Sequence, residues 1–242
     1  MDFIQKRFEE LSSRAANRYY TTFSDFLNME EQSELLALRL NSPFRLYGGY
    51  EGAERCIAAF GDECNECQFP ISFIKIEPSS KKFADKLTHR DFLGSLMGLG
   101  IKRETLGDII IKDNTGYLMC LDSVAEYITG SLDKVKHTSV KCSAVSELPQ
   151  GVQSEPEEQQ EIVASLRIDV LAAAVYNLSR SAVKELFNQR KIFVNSALCE
   201  NFSLVPKEGD IISVRGKGRF KLGEALGKTK KGRTVVQLYV YK

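Results

Sequence analysis

The chain has 242 residues, 43% hydrophobic and 27% charged, with six cysteines and no tryptophan. That composition is ordinary for a folded globular protein and excludes collagen-like, low-complexity and disulfide-scaffold chains. The net charge of +1 hides a division: residues 162–242 hold 15 Lys+Arg against 6 Asp+Glu, a net of +9, and residues 1–161 hold 18 against 26, a net of −8. Such asymmetry points to a polyanionic partner for the basic part, with a solvated basic surface as the plain alternative.

The opening MDFIQKRFEE is charged and does not read as a signal peptide. The longest apolar run, 170–176, has seven residues, against about 20 for a membrane helix. These features lead us to expect a cytoplasmic protein with reduced thiols. Residues 1–39 read as helices: Phe3, Ile4, Phe8 and Leu11 recur at helical spacing, then Leu35, Leu36 and Leu38 follow. Residues 44–60, FRLYGGYEGAERCIAAF, are short and glycine-bearing.

From Phe69 onward the order is clear. A strand is expected at 71–76 and a helix at 89–99, capped by Thr88 with Asp91 three residues on. A strand at 108–112, a turn at 113–116 and a strand at 117–121 follow. Asp122 then caps a helix to Leu132, and 135–145 reads as a last strand. This β-α-β-β-α-β order is the split βαβ, or ferredoxin-like, arrangement. It lacks the aromatic strand motif of an RNA-recognition module. Residues 146–161, SELPQGVQSEPEEQQE, hold five acids and no base and read as an acidic linker.

In the basic part, Ser165 is a cap candidate for a helix beginning at Leu166-Arg167, with Asp169 in its first turn. Ser179 caps a second helix with Val183, Leu186 and Phe187 as its apolar stripe. Arg180 and Lys184 share one side of it. Two short strands, 192–195 and 197–199, flank a tight turn at Asn195-Ser196. After a turn at 206–210, strands at 211–215 and 235–241 complete a small sheet. The segment 215–219, RGKGR, adds Arg215, Lys217 and Arg219 beside glycines that let backbone approach a phosphate. The segment 227–233, GKTKKGR, is a second basic loop suited to salt-sensitive contact.

This C-terminal stretch resembles the RNA-binding domain typified by ribosomal small-subunit protein S-four. The features are Arg167-Ile168-Asp169, Ser179-Arg180-Ser181, Val194-Asn195, and Gly209-Asp210 before the strand at 211–215. The resemblance implies that the second helix and the hairpin after it present bases to folded RNA. It implicates Arg167, Ser179, Arg180, Ser181, Lys184, Arg190, Lys191 and Asn195. A structural Arg167–Asp169 ion pair is the competing reading. YGGYEGAER, 47–55, and THRDFLGSLMGLGIKRETLGDI, 88–109, together with that domain, resemble the YlmH family of bacterial RNA-binding proteins over essentially the whole chain. That resemblance implies a non-catalytic factor of ribosome-associated quality control, encoded with cell-division genes. It would engage large-subunit rRNA and peptidyl-tRNA as a monomer, alone or with other quality-control factors, without cofactor or membrane.

In the second stretch, His89-Arg90 and Lys102-Arg103 form a phosphate clamp if the loop 101–108 folds back. Alternatively, Arg90 and Asp91 cap the helix and the glycines serve packing. Cys64 and Cys67 form a CxxC, but no second pair completes a four-ligand zinc site, and Cys56 supplies only a third thiol. His137 falls in an expected strand, and nothing places a nucleophile beside His89. No Walker loop or GxGxxG occurs. The competing classes are an RNA-modifying enzyme, pseudouridine synthase-like in its Arg167-Ile168-Asp169, and a general RNA chaperone. The expected fold is therefore α+β: a helical N-terminal region within an α+β domain at 1–69, a ferredoxin-like middle domain at 70–145, the linker, and a small S-four-type domain of helices and a hairpin at 162–242.

Overall fold

A computed structural model describes residues 3–152 and 155–241. The first helix, α1 (Phe3–Arg18), turns Phe8, Leu11 and Ala15 inward. Strand β1 (Thr22–Leu27) follows at once. Helix α2 (Met29–Ala37) then starts on Asn28, whose side chain accepts from the Glu30 and Glu31 amides while Glu31 reaches back to the Asn28 amide. Strands β2 (Phe44–Tyr47) and β3 (Cys56–Phe60) complete an antiparallel sheet in the order β1-β3-β2. The expectation of helices alone over 1–39 is thus corrected. TFSDFL buries Thr22, Ser24, Phe26 and Leu27 and exposes Asp25, a strand pattern that a bulge between Phe23 and Phe26 partly disguises.

Strand β4 (Ile71–Pro78), helix α3 (His89–Gly98), strands β5 (Leu106–Lys112) and β6 (Thr115–Leu121), helix α4 (Asp122–Ser131), and strands β7 (Lys134–Val135) and β8 (Thr138–Val145) come next. The sheet order is β5-β6-β4-β8-β7, with every neighbouring pair antiparallel. Thr88 and Asp91 form the expected capping box on α3, with the Thr88 amide 2.8 Å from Asp91 Oδ2. Asp122 opens α4 as its first residue, while Leu121 takes the cap position.

Side-chain alternation stacks these pieces. Along β3, Ala58 and Phe60 face α1 and α2, whereas Ile57 and Ala59 pack with Phe73, Ile110 and Met119. On the other face of the five-stranded sheet, Ile74, Ile76, Leu118 and Cys120 meet Phe92 and Leu96 of α3 and Ile128 of α4. Both faces of β3 are therefore covered, which is why CIAAF is apolar throughout and wholly buried. Each of its large side chains contributes about 1.5–3 kcal/mol by leaving water.

The chain divides into two compact units, Met1–Gln153 and Ser154–Lys242. The second begins with β9 (Glu157–Val163), then α5 (Ile168–Val175), α6 (Arg180–Asn188), β10 (Ile192–Val194) and β11 (Ala197–Leu198). Strands β12 (Ile211–Val214), β13 (Gly218–Lys228) and β14 (Thr234–Tyr241) complete an antiparallel sheet ordered β11-β10-β12-β13-β14-β9. Ile168, Leu171, Val183 and Phe187 of the helices bury against Ile192, Ile212, Phe220 and Leu238.

Three expectations change here. The end of the acidic segment is not loop, since Glu157 to Glu161 pair with β14 at the sheet edge. Gln153 and Ser154 of that segment lie outside the described residues. Ser165 is not the cap of α5: Arg167 holds that position, and the carbonyls of Leu204 and Phe202 accept from the Ile168 and Asp169 amides at 2.8 and 3.4 Å. The two glycine-rich basic stretches are turns at either end of one long strand, β13, which takes in only 218–219 and 227–228 of them and bulges between Leu222 and Gly227.

Candidate nucleic-acid interface

Helix α6 positions the first group. Ser179 Oγ accepts from the Ala182 amide at 3.2 Å and lies 2.9 Å from Ser181 Oγ. The first-turn amides of Arg180 and Ser181 are left for water or an anion. Arg180 and Lys184 are both exposed, one turn apart. This end differs from α5, whose first amides are taken by the 202–204 carbonyls.

The far end of α6 closes by two backbone bonds, Arg190 N to Phe187 O at 2.9 Å and Lys191 N to Leu186 O at 3.0 Å. This places Arg190 in the left-handed region, φ 54°, a position usually filled by glycine. Arg190 stays exposed and meets Glu200 at 3.5 Å, with both side chains about two-thirds exposed. Such a pair stabilises little and yields readily to a phosphate. The Arg215 amide donates to the Lys191 carbonyl at 2.9 Å, which sets Arg215 beside Arg190 and Lys191. The tight turn between β12 and β13 carries Lys217, and its amide returns to Val214 O at 2.8 Å. Arg219 pairs with Tyr241 across the strands, its guanidinium 4.8 Å from the ring centroid. Arg190, Lys191, Arg215 and Lys217 thus gather at one end of the sheet.

Two expected contacts lie elsewhere. Asn195 sits at the opposite end of β10, in a turn where it and Ser196 both have positive φ. Its Nδ2 donates to Asp210 at 2.9 Å and its Oδ1 accepts from the Ile211 amide at 2.9 Å. Asp210 Oδ2 also takes the Lys207 amide at 2.7 Å. The two motif residues therefore clasp two turns together. Arg167 makes a two-pronged pair with Asp169, at 3.1 and 2.8 Å, and lies over the Phe202 ring. Asp169 also accepts from the Val170 amide at 3.0 Å.

In the N-terminal unit, His89 and Arg90 open α3, and both are exposed. Lys102 is exposed as well. Partial desolvation of the imidazole, and then the nearby Arg103 charge, hold His89 below its ordinary value. Arg103 is half-buried, and its Nη1 donates to the Leu106 and Gly107 carbonyls at 2.7 and 3.1 Å. Burial, and then Arg55, pull its pKa down to about 10, against the opposing pull of Asp108.

Arg55 and Asp108 carry no motif of their own, yet they join the two distinctive stretches 47–55 and 88–109. Asp108 Oδ2 accepts from the Tyr50 hydroxyl at 2.8 Å and the Glu54 amide at 2.7 Å, and Oδ1 from the Arg55 amide at 3.2 Å. Arg55 Nε donates to Leu106 O at 2.8 Å and Nη2 to Phe26 O at 2.7 Å. Burial lowers the Arg55 pKa, with Glu31 and Asp108 opposing. The only advance signal was an arginine and an acid standing in glycine-rich loops.

Among the described residues no cluster of His, Cys, Asp and Glu could hold a metal. Cys64 and Cys67 are free thiols, with Cys67 Sγ 3.3 Å from the Cys64 carbonyl. No helix among the described residues is long and apolar enough to cross a membrane.

Comparison with known proteins bears on this geometry. Residues 64–147 match a family model described as a putative RNA-binding domain in YlmH. The chain is 30% identical over 223 residues to "Ribosome-associated protein quality control protein P2" of Bacillus subtilis (strain 168), covering 88% of this chain and 85% of that one. A solved structure, "Cell division protein ylmH from Streptococcus pneumoniae", aligns with a TM-score of 0.47 at 22% identity, over 59% of this chain and 88% of that chain. The likeness to the Bacillus subtilis protein runs through both units, and with the matched domain at 64–147 it shows that this chain belongs to the YlmH family.

Proposed function

We propose that the protein is a non-catalytic RNA-binding factor of the cytoplasm, acting on the large ribosomal subunit and on peptidyl-tRNA when translation stalls. One observation carries the reading: the backbone bond between Arg215 and Lys191 draws separate sequence segments into one basic cluster, in the unit that also holds Arg180 and Lys184. Clustered bases position folded RNA through its phosphates without reading its sequence. The relative's name, a ribosome-associated quality-control protein, supplies the setting.

In this reading the C-terminal unit is an S-four-type domain and the β4–α3–β5–β6–α4–β8 block is a split βαβ module. The strand order β5-β6-β4-β8 with α3 and α4 on one face supports the latter. The domain scheme then has units at 1–69 and 70–145 and a C-terminal unit that takes in β9, from Glu157 onward. Asp169 serves Arg167 and a helix amide rather than an RNA base. That favours a binding role over pseudouridine chemistry. His89, Arg90 and Lys102 supply a second, weaker RNA contact, while Arg103 holds the loop beneath them.

The test is co-sedimentation with purified large ribosomal subunits. Arg180→Glu, Lys184→Glu and Arg190→Glu together abolish association while the far-UV circular dichroism stays unchanged. Full association by a folded triple variant overturns the assignment of this face.

A further inference from the structure

The end of α1 carries two features that packing does not explain. Tyr19 follows the helix in the left-handed region, φ 54°, its amide bonded to Ala15 O at 3.0 Å. Glycine or asparagine ordinarily stands there, because a Cβ is strained at that φ. The Tyr19 ring is also 88% exposed, so burial does not offset the strain. The same φ at Arg190 merely closes α6, so what singles out this end is a tyrosine in the glycine position with its ring left in solvent beside a cavity.

Beside it opens a cavity of about 210 Å³ whose lining includes Tyr19, Tyr20, Asn41, Asp62 and Glu63. That is below the roughly 300 Å³ floor of drug-sized pockets, so it suits one ring system rather than a whole cofactor. Tyr20 is 40% exposed, and Arg14 Nη2 donates to its hydroxyl at 3.4 Å. That hydrogen bond, and then the charges of Arg14 and Arg18, hold the Tyr20 phenol below its ordinary value. Two tyrosines lining a small cavity, with arginines alongside, are the parts of a stacking platform for single-stranded nucleic acid. Asp62 and Glu63 on the wall, when ionised, accept hydrogen bonds and donate none. They match an exocyclic amino group and repel the carbonyl edge of uracil.

We infer that this corner of the N-terminal unit stacks an unpaired, amino-bearing nucleobase of single-stranded RNA, with Tyr19 and Tyr20 as the platform and Arg14 and Arg18 on the adjoining phosphate. The site is separate from the basic cluster of the C-terminal unit and stands or falls independently of it. An apolar protein side chain is the less favoured occupant, because two acids and an asparagine line the cavity.

The experiment is fluorescence anisotropy of labelled oligoadenylate and oligouridylate of about six nucleotides, titrated with the full chain, Tyr19→Gly and Tyr19→Phe. Glycine suits the backbone at this position, so Tyr19→Gly unfolds at or above the parent's temperature. The expected result is a preference for oligoadenylate that Tyr19→Gly weakens about tenfold and Tyr19→Phe keeps. Introducing Arg180→Glu and Lys184→Glu into the same chain leaves both the preference for oligoadenylate and its weakening by Tyr19→Gly in place, which separates this site from the proposed ribosomal one. Equal affinity for the two oligonucleotides overturns the inference. So does unchanged oligonucleotide binding by Tyr19→Gly, including the case in which that variant instead loses a protein partner.

Discussion

Asp108→Asn is the substitution that most sharply probes how the N-terminal unit is held. The carboxylate accepts three hydrogen bonds, two on Oδ2 from Tyr50 and the Glu54 amide, one on Oδ1 from the Arg55 amide. An asparagine in its better orientation keeps the two on its carbonyl oxygen. It then turns an NH2 toward the Arg55 N–H, which loses one charge-assisted bond and sets donor against donor. The flipped orientation loses two bonds. Hydrogen bonds to a charged group contribute about 1.5–3 kcal/mol each, and an unsatisfied partner adds its own desolvation. The counter-charge facing Arg55 and Arg103 is removed as well. Asp108 is only partly buried, so the expected loss is set at about 2–4 kcal/mol. Urea unfolding followed by tyrosine fluorescence and circular dichroism measures it, with Asp133→Asn, an exposed acid, as a control expected within about 0.5 kcal/mol. A loss below about 1 kcal/mol refutes the view that this carboxylate ties the two glycine-rich stretches together.

Asn195→Ala is expected to reduce stability by about 1–3 kcal/mol, from two lost bonds and a Cβ-bearing residue without asparagine's tolerance for positive φ. RNA affinity of the folded fraction stays within about twofold; a selective loss of affinity returns Asn195 to the interface. Gly48→Ala sets a Cβ 2.2 Å from the Arg55 carbonyl oxygen and 2.4 Å from Ala53 Cβ. Because the oxygen belongs to backbone, calorimetry should show about 1–3 kcal/mol lost or more. His89 should titrate below its ordinary value of about 6.5 by NMR, with the resonance assigned in a His137→Gln variant. Between that lowered value and 6.5 the unfolded chain binds more protons, so the contribution of His89 to stability rises with pH across this window and is lost below it. Arg103→Met should raise the midpoint, and an unmoved midpoint contradicts the stated proximity.

Sequence showed elements wherever local chemistry and tertiary packing agreed. Thr88 and Asp91 announced α3, and Ser179 announced α6, because caps are written within four residues. Strand β9 was hidden because EEQQE has little strand propensity, and pairing with β14 supplies what the residues lack. Strand β13 was hidden by its glycines. Gly223 is there because a Cβ would lie 2.8 Å from the Gln237 carbonyl oxygen, a constraint set by a strand some fourteen positions away. In the basic region, Arg180 and Lys184 were legible from helical spacing, whereas the convergence of Lys191 with Arg215 depends on a backbone bond across β10 and β12. Asn195 read as an interface residue from the family resemblance, and its side chain is bonded to Asp210. Arg103 read as a free base and is bound to carbonyls.

The most direct test of the central claim is in-cell ultraviolet crosslinking with sequencing of the attached RNA, on the parent chain and the Arg180→Glu, Lys184→Glu, Arg190→Glu variant. The account predicts crosslinks concentrated on large-subunit rRNA and tRNA, and their loss in the variant. Crosslinks scattered over messenger RNAs, concentrated on one modified nucleotide, or unchanged in the variant would contradict it.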